Sequence, residues 1–152
     1  MIKFRRARED DLKAIVALLA DDDLGAERER VSDGVAPEYL AAFKAIEADP
    51  NQQVAVMIDG EEVIGTLQLT FIPGLAREGA LRGQIEAVRV ARDRRSEGLG
   101  ERLFEWAIAQ CRARECSLVQ LTTDRRREDA HRFYDRLGFV PSHLGYKLDL
   151  RE

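Results

Sequence analysis

The stretch from Val88 to Gly100 constrains the fold of this chain most, because it leads a hydrophobic strand through a polar loop into a helix. Its sequence, VRVARDRRSEGLG, has apolar residues first, then a basic run, then two glycines. Gly98 and Gly100 let a ligand approach the backbone where the first N–H groups of a helix have no partner. The helix dipole and Arg95 add positive charge there. The stretch therefore predicts a strand–loop–helix unit that binds a pyrophosphate group.

Hydrophobic periodicity on either side of this unit predicts a mixed sheet with helices on both faces, an α/β or α+β sandwich. The segment 84–122 has the pattern strand, helix, strand, and should form a right-handed parallel crossover. Asp59–Gly60 predicts a hairpin turn. The predicted strands are 2–5, 54–58, 62–71, 84–90, 118–122, 140 and 146–150. The predicted helices are 12–20, 38–48, 99–113 and 128–137. Loops are predicted at 25–34 and 73–83.

Composition indicates one domain over residues 1–152, large enough for a single core. The net charge of −4 argues against nucleic acid as a partner. The apolar runs are too short to span a membrane and the N-terminus has no signal-peptide core, so we expect no membrane partner and a cytoplasmic location. Cys111 and Cys116 lack metal-ligand spacing, so we expect reduced thiols and no metal site.

Two motifs are similar to those of a known family. Arg95-x-x-Gly98-x-Gly100 matches a Q/R-x-x-G-x-G/A loop, and residues 130–139, AHRFYDRLGF, match an A-x-x-F-Y-x-x-x-G-F ending. With an element order that agrees from Ile2 to Leu150, the chain resembles the GCN5-related N-acetyltransferase (GNAT) superfamily. The resemblance implies a mixed, mostly antiparallel sheet with a central parallel strand pair. It also implies transfer of an acetyl group from acetyl-CoA to a primary amine by direct attack in a ternary complex.

The chain departs from the family pattern at three positions. Many relatives have proline where Arg92 stands, glycine where Ser96 stands and asparagine where Arg127 stands. Ser96 should be tolerated because the pyrophosphate contacts come from backbone N–H groups. Arg127 leaves open whether that position binds a phosphate or the pantetheine carbonyl. A dinucleotide-binding fold is a weaker alternative, since Leu103 occupies the third glycine position of its fingerprint.

The slipped alternation of strand 84–90 predicts a bulge near Ala87, which would open a slot beside the next strand. By resemblance, the N–H of Val88 would polarise the thioester carbonyl, Val90 would bond the pantetheine arm, and Thr122 and Thr123 would line the other wall. The residues implied to hold acetyl-CoA are Val88, Arg89, Val90, Arg95, Ser96, Glu97, Gly98, Leu99, Gly100, Glu101, Thr123, Arg127 and Ala130.

Two catalytic residues are implied, Tyr134 and Glu86. Tyr134 is the candidate general acid for the departing thiolate, with simple packing against Phe133 as the alternative. Glu86 is the candidate base, directly or through water, with a structural ion pair as the alternative. His131, one turn from Tyr134, is a second candidate base.

The acceptor should bind between the first two helices, the 71–83 loop and the last strands. The residues predicted to contact it are Phe71, Arg77, Glu86 and Thr122, with Arg82 as a further anion-binding candidate. The acidic stretch 21–29 either attracts a cationic amine or is a solvated loop. Gln84-x-Glu86 and residues 129–134 are similar to small-amine acetyltransferases of the aminoalkylphosphonate type. This implies a small primary amine as partner and, as such enzymes often pair, a homodimer. The alternatives to a small-amine acetyltransferase are a non-catalytic acyl-CoA sensor and a protein acetyltransferase.

Overall fold

The computed structural model describes residues 1–151 and contains a five-stranded sheet in the order β1-β2-β3-β4-β5. The first four strands are antiparallel, and β5 runs parallel to β4. The strands are β1 (Ile2–Arg6), β2 (Gln52–Asp59), β3 (Glu62–Pro73), β4 (Leu81–Val90) and β5 (Leu118–Gln120). The helices are α1 (Leu12–Ala20), α2 (Asp23–Arg28), α3 (Pro37–Ala48), α4 (Ala76–Gly79), α5 (Leu99–Ala113) and α6 (Glu128–Arg136). The predicted mixed fold is confirmed.

Strand alternation places two sets of apolar side chains on opposite faces of the sheet. On one face, the apolar side of α5 packs on Met57, Leu69 and Ile85, all fully buried. On the other face Val56 is fully buried, and α1 and α3 contact the central strands. The buried residues of these two helices are Leu12, Ile15, Val16, Leu18 and Phe43. Helices therefore lie on both faces of the sheet, as predicted, although α1 and α3 leave the polar side chains of β4 and β5 open to solvent.

The bulge predicted in β4 is confirmed at Ala87. Ala87 has a left-handed φ of 55°, and the register of β3 against β4 shifts between Thr66 and Gln68. Thr66 pairs with Arg89 and Gln68 with Glu86, so two residues of β4 face one residue of β3. Such a bulge bends the strand and increases its twist. It lies where β4 begins to separate from the β5 side of the sheet, since β5 pairs only with Arg82–Gln84.

Two segments predicted as loops contain regular structure. Asp23–Arg28 forms α2, capped by the Asp22 carboxylate, which accepts a hydrogen bond from the N–H of Gly25. The 73–83 segment contains the single turn α4, in which Arg77 and Glu78 have left-handed φ values, and β4 already begins at Leu81. Both segments are charged and lack an apolar pattern, so the sequence did not indicate these short helices, which depend on a local cap or turn.

The segment 140–151 contains no strand, so the prediction that Val140 and Tyr146–Leu150 complete the sheet is wrong for this structure. The parallel pair β4–β5 consequently lies at the edge of the sheet. Alternating apolar residues identify one face of an extended segment, but a strand also needs a neighbour for its backbone hydrogen bonds. Within residues 1–151, every helix is too short or too polar to cross a bilayer.

Candidate active site

The loop between β4 and α5 has a backbone shaped to bind an anion. Ser96 and Gly98 have left-handed φ values of 75° and 73°, and α5 begins directly afterwards at Leu99. Left-handed residues that alternate with residues of negative φ turn their N–H groups to one side, a nest that binds anions. Within residues 1–151, a Cβ at Gly98 would meet no atom within 4 Å, so the space beside the loop is open.

Protein groups engage the arginines of this loop and fix its position. The Arg94 guanidinium lies 3.0 Å from Asp59 and 2.9 Å from Glu97. Arg95 Nε donates to the carbonyl oxygen of Val90 at 3.3 Å. These contacts tie the loop to the ends of β2 and β4. The backbone N–H groups, more than the arginine side chains, are therefore left for a ligand.

A cleft of about 920 Å³ lies between this loop, the end of β4 and the N-terminal half of α6. Its size falls within the range of roughly 300–1,000 Å³ usual for ligand pockets. The residues predicted to hold the cofactor all line it except Glu97, which pairs with Arg94, and Thr123. Sequence reasoning missed its other lining residues, Asp22, Arg94, Arg126, Glu128, Asp129, Phe133, Arg136 and Leu137.

Asp22 joins the helical side of the molecule to the cleft. Its carboxylate lies 2.7 Å from Arg127 Nη1 and 3.5 Å from Arg89 Nε, and it accepts the N–H of Gly25. Burial acts to raise the pKa of Asp22, but the Gly25 and Arg127 hydrogen bonds and the nearby arginines lower it overall. Arg127, at the position where the resemblance implied asparagine, thus has an acidic partner. No sequence motif indicated this contact across 105 positions.

Two polar atoms near the cleft are buried without a hydrogen-bond partner in residues 1–151. They are Nε of Arg89, which lines the cleft, and Oγ1 of Thr123, which does not. The Arg89 side chain is 15% exposed, and burial lowers its pKa. An unpaired buried polar atom is costly, and it marks a place where a ligand or water is expected. Acceptor atoms such as phosphate or amide oxygens fit the Arg89 donor.

Tyr134 lies on α6 within an aromatic cluster. Its ring centroid is 5.6 Å from that of Phe104, 5.7 Å from that of Phe133 and 6.2 Å from that of Phe139. Burial raises the pKa of the Tyr134 phenol, while the positive charges of Arg127 and Arg89 act to lower it. The side chain is thus both packed, as the structural alternative expected, and close enough to two cleft arginines to sense their charge.

The candidate bases lie in different surroundings. Glu86 is exposed on β4, with its carboxylate 3.5 Å from Nε2 of Gln84. His131 Nε2 lies 3.2 Å from the carbonyl oxygen of Asp124, in the segment between β5 and α6. The structure therefore directs His131 toward the backbone of that segment, whereas Glu86 remains on the open face of the sheet.

A polar row crosses the open face of the sheet beside Glu86. Arg82, Gln84 and Glu86 alternate along β4, and Gln120 of β5 contacts the first two at 3.1 Å and 2.9 Å. Thr122, beyond β5, is exposed. Arg82, which belongs to the 71–83 segment expected around an acceptor, lies on the same side of β4 as Gln84 and Glu86, so the row offers a cationic, an amide and an anionic group side by side.

The other predicted acceptor residues are scattered. Arg77 is exposed in the α4 turn. Phe71 is 2% exposed in the core, with the Arg114 guanidinium 4.1 Å above its ring, so its side chain is closed to an acceptor. In the acidic stretch, Asp21 lies 3.1 Å from Arg92. The carboxylates of Asp21 and Asp22 are therefore neither free to attract an amine nor simply solvated, because arginine side chains neutralise their charges.

The family and the relative that this chain matches identify it as an acetyl-CoA-dependent acyltransferase, with the mixed sheet and bulged strand described above. The chain belongs to the acetyltransferase (GNAT) family, which matches residues 12–139. It is 29% identical over 147 residues to an aminoalkylphosphonate N-acetyltransferase from Salmonella typhimurium, covering 95% of this chain and 88% of that protein.

Solved structures show the same fold. A chain described as a transcriptional regulator from Bacillus halodurans C-125 is 45% identical, with a TM-score of 0.96, and the match covers 99% of this chain and 100% of that one. A Trypanosoma brucei acetyltransferase is 25% identical with a TM-score of 0.80, over 99% of this chain and 100% of that one. The prediction of a GNAT-type enzyme is confirmed.

Proposed function

We propose that the chain transfers the acetyl group of acetyl-CoA to the primary amine of a small amino-acid-like or aminoalkylphosphonate-like molecule, by direct attack in a ternary complex. The observation that carries the proposal is the cleft between the bulged end of β4 and the loop before α5, which is lined by Arg89, whose buried Nε–H has no hydrogen-bond partner in residues 1–151. The Salmonella relative supports an acceptor that joins an amine to an anionic group. We also propose that the enzyme is a homodimer.

The cleft residues divide between two parts of acetyl-CoA. Backbone N–H groups from Ser96 to Gly100 hold the pyrophosphate, because the start of a helix and a nest both bind phosphate oxygens. The backbone of Val88 and Val90 pairs with the pantetheine amides, as a strand edge pairs with an extended peptide. Bound acetyl-CoA supplies the thioester. The N–H of Val88 donates to its carbonyl oxygen, where negative charge grows as the amine attacks.

Tyr134 donates a proton to the departing thiolate. Burial raises the pKa of its phenol, so the group remains protonated through the neutral range. A phenol is nevertheless a weaker acid than a thiol, with ordinary pKa values of about 10 and 8.5, which makes the transfer in water uphill by about 2 kcal/mol. Arg127 and Arg89 oppose the effect of burial and so reduce this difference.

Glu86 accepts the proton of the attacking amine, directly or through a water molecule. It is exposed on the same face of β4 as Arg82, at the other end of the polar row. An ammonium group near Glu86 and an anionic group toward Arg82 or Arg77 would orient an acceptor that carries both charges. This arrangement favours a small zwitterionic molecule over a protein lysine, whose flanking peptide carries no fixed anion.

Turnover with a panel of amines, followed by detection of free coenzyme A thiol, tests the proposal. We expect Tyr134→Phe to lower kcat by roughly 10²–10⁴-fold, the usual contribution of general acid catalysis, with little change in the affinity for acetyl-CoA. Tyr146→Phe removes a hydroxyl from a residue that is 91% exposed and serves as the matched control. It should keep the wild-type kcat.

Two outcomes would contradict the proposal. If Tyr134→Phe keeps the full kcat with every accepted amine, Tyr134 is not the general acid. Binding of acetyl-CoA without turnover of any amine would instead favour an acyl-CoA sensor, the alternative in keeping with the description of the Bacillus chain as a transcriptional regulator.

A further inference from the structure

A series of hydrogen bonds connects Arg82 with Glu86 on the open face of β4 and β5. Arg82 Nη1 donates to Oε1 of Gln120 at 3.1 Å, and Nε2 of Gln120 donates to Oε1 of Gln84 at 2.9 Å. Nε2 of Gln84 lies 3.5 Å from Oε1 of Glu86. We call these four residues the acceptor network. Gln120 is the member of the network to which neither the sequence nor the proposed function gives a role.

The two ends of the acceptor network fix the orientation of both amides between them. A guanidinium only donates hydrogen bonds, and an ionised carboxylate only accepts them. Gln120 therefore turns its carbonyl oxygen to Arg82 and its NH2 group to Gln84, whose own NH2 group is left for Glu86. This order depends on Gln120, because that residue bonds both to Arg82 and to Gln84.

Gln120 also draws the Arg82 side chain toward Glu86. Arg82 is in register with Leu118, whereas Gln120 lies two residues further along β5, opposite Gln84 and in the direction of Glu86. Positions on one face of a strand are about 7 Å apart. The guanidinium that reaches Gln120 is therefore about one such step from Glu86. This spacing suits a molecule with two or three carbons between an amine and an anion.

Arg82 has no counter-charge of its own. It is half-buried, and within residues 1–151 no carboxylate pairs with it. Arg94 in the loop before α5 differs, since it lies 3.0 Å from the Asp59 carboxylate. A partly buried cation without a counter-charge favours an anionic ligand. Arg77, the other candidate for an anion, is exposed on the single turn α4. The acceptor network therefore favours Arg82.

We propose that Arg82 binds the anionic group of the acceptor and that Gln120 is a positioning residue, which holds Arg82 at the separation from Glu86 that the acceptor spans. The NH2 group of Gln84 holds the Glu86 carboxylate at the other end, where the amine binds. The inference rests on the proposed function and narrows its substrate class to short amines that carry a phosphonate or a carboxylate.

Steady-state kinetics with three acceptors tests the inference. They are 2-aminoethylphosphonate, β-alanine and propylamine, which has a similar length but no anion. We expect wild type to prefer the two anionic amines in kcat/KM. Gln120→Glu keeps the size of the side chain, but it neutralises the Arg82 guanidinium and cannot donate to Gln84. It should raise KM for the anionic amines by at least about tenfold, with little change in KM for propylamine or acetyl-CoA.

Gln110→Glu is the matched control, because it makes the same substitution on the C-terminal half of α5. It should keep the wild-type KM for every acceptor. A circular dichroism melt of Gln120→Glu that matches the melt of Gln110→Glu separates lost recognition from lost folding. Arg82→Gln should abolish the preference for anionic amines, since it removes the cation itself.

Three kinetic results would overturn the inference and leave acetyl transfer standing. One is a wild type that acetylates amines without preferring the anionic pair. Another is a wild-type KM for the anionic amines in Gln120→Glu. The third is a preference lost in Arg77→Gln but kept in Arg82→Gln, which would place the anion site on α4.

A wild type that acetylates no amine would contradict the proposed function itself. The side-chain amide NMR signals of Gln84 and Gln120 then decide the inference. Shifts of these signals when 2-aminoethylphosphonate is added in the presence of acetyl-CoA would support the anion site beside Gln120, and unchanged signals would overturn it.

Discussion

Asp22 is the residue at which the helical layer and the cleft depend on each other most directly. Its carboxylate caps α2 and also compensates Arg127 and Arg89, both of which line the cleft. The two arginines in turn moderate the rise in the pKa of Tyr134 that burial causes. One acidic side chain thus stabilises a helix start and keeps two cationic groups in place beside the candidate acid.

Replacing Asp22 should therefore affect stability and the site together. We expect Asp22→Asn to lower the free energy of unfolding by about 1.5–3 kcal/mol, because a hydrogen bond to a charged group is lost and Arg89 is left without a compensating charge. Urea denaturation measures the change. Asp23→Asn, an exposed neighbour with the same change in charge, should stay within about 0.5 kcal/mol of wild type. Equal stabilities for the two variants would refute this role of Asp22.

The junction of β1 with α1 depends on a single carboxylate. Asp11 is the N-cap residue of α1, but its side chain bonds the N–H of Arg8 at 2.7 Å and the Arg5 guanidinium at 2.6 Å and 3.0 Å, rather than an N–H of the helix. The Arg5 hydrogen bond is the largest cause of a lowered Asp11 pKa. The hydrogen bond that an N-cap aspartate usually accepts from the helix is therefore replaced by a link from the strand to the turn before the helix.

This link gives stability a defined dependence on pH. The pKa of Asp11 is lower in the folded chain than the unfolded value of about 3.9, so its contribution is complete at neutral pH and is lost as the pH falls below about 4 through the folded pKa. We expect Asp11→Asn to reduce stability at pH 7 by about 2 kcal/mol and to flatten the acid limb of the profile. Thermal melts from pH 7 to pH 2 measure both effects.

Asp10→Asn is the control for this measurement, because Asp10 is exposed and adjacent. It should leave the acid limb of the stability profile as in wild type. An Asp11→Asn profile parallel to that of wild type at all pH values would contradict the assignment.

Among the elements, those with a strong periodic pattern were predictable and those with a local cause were not. α5 has the predicted bounds because its apolar face repeats at helical spacing and Gly98 precedes it. The Ala87 bulge was visible as a slip in strand alternation. α2 was missed because its charged sequence has no apolar face, although Asp22 before it is a usual N-cap type. Residues 140–151 have a strand pattern but no neighbouring strand within residues 1–151, and alternation alone does not provide one.

For the whole molecule, motif spacing predicted the fold and most of the cleft. The cleft is built largely from one strand–loop–helix unit and the start of α6, which the two motifs mark directly. Contacts between residues far apart in the chain, such as the ion pair of Asp22 with Arg127, could not be predicted from periodicity or motifs. Phe71 was placed near the acceptor by its position in the chain, but strand alternation turns it into the core. Which acceptor binds depends on the positions of side chains in the site, and sequence periodicity does not predict those positions.

The proposed function depends on the loop before α5 holding the pyrophosphate of acetyl-CoA. In Gly100→Asp, the new Cβ would lie 3.6 Å from Phe133, an ordinary contact, and an acidic residue is favourable in the first turn of a helix, so the fold should be retained. Its carboxylate would nevertheless crowd and repel the phosphates. Gly34→Asp adds the same side chain at an exposed glycine with no neighbour of its Cβ within 4 Å in residues 1–151.

Isothermal titration calorimetry of acetyl-CoA with wild type, Gly100→Asp and Gly34→Asp tests this claim most directly. We predict that Gly100→Asp loses at least about a hundredfold in affinity, through repulsion of a diphosphate and lost N–H contacts, while Gly34→Asp binds as wild type does. Unchanged affinity in Gly100→Asp would contradict it.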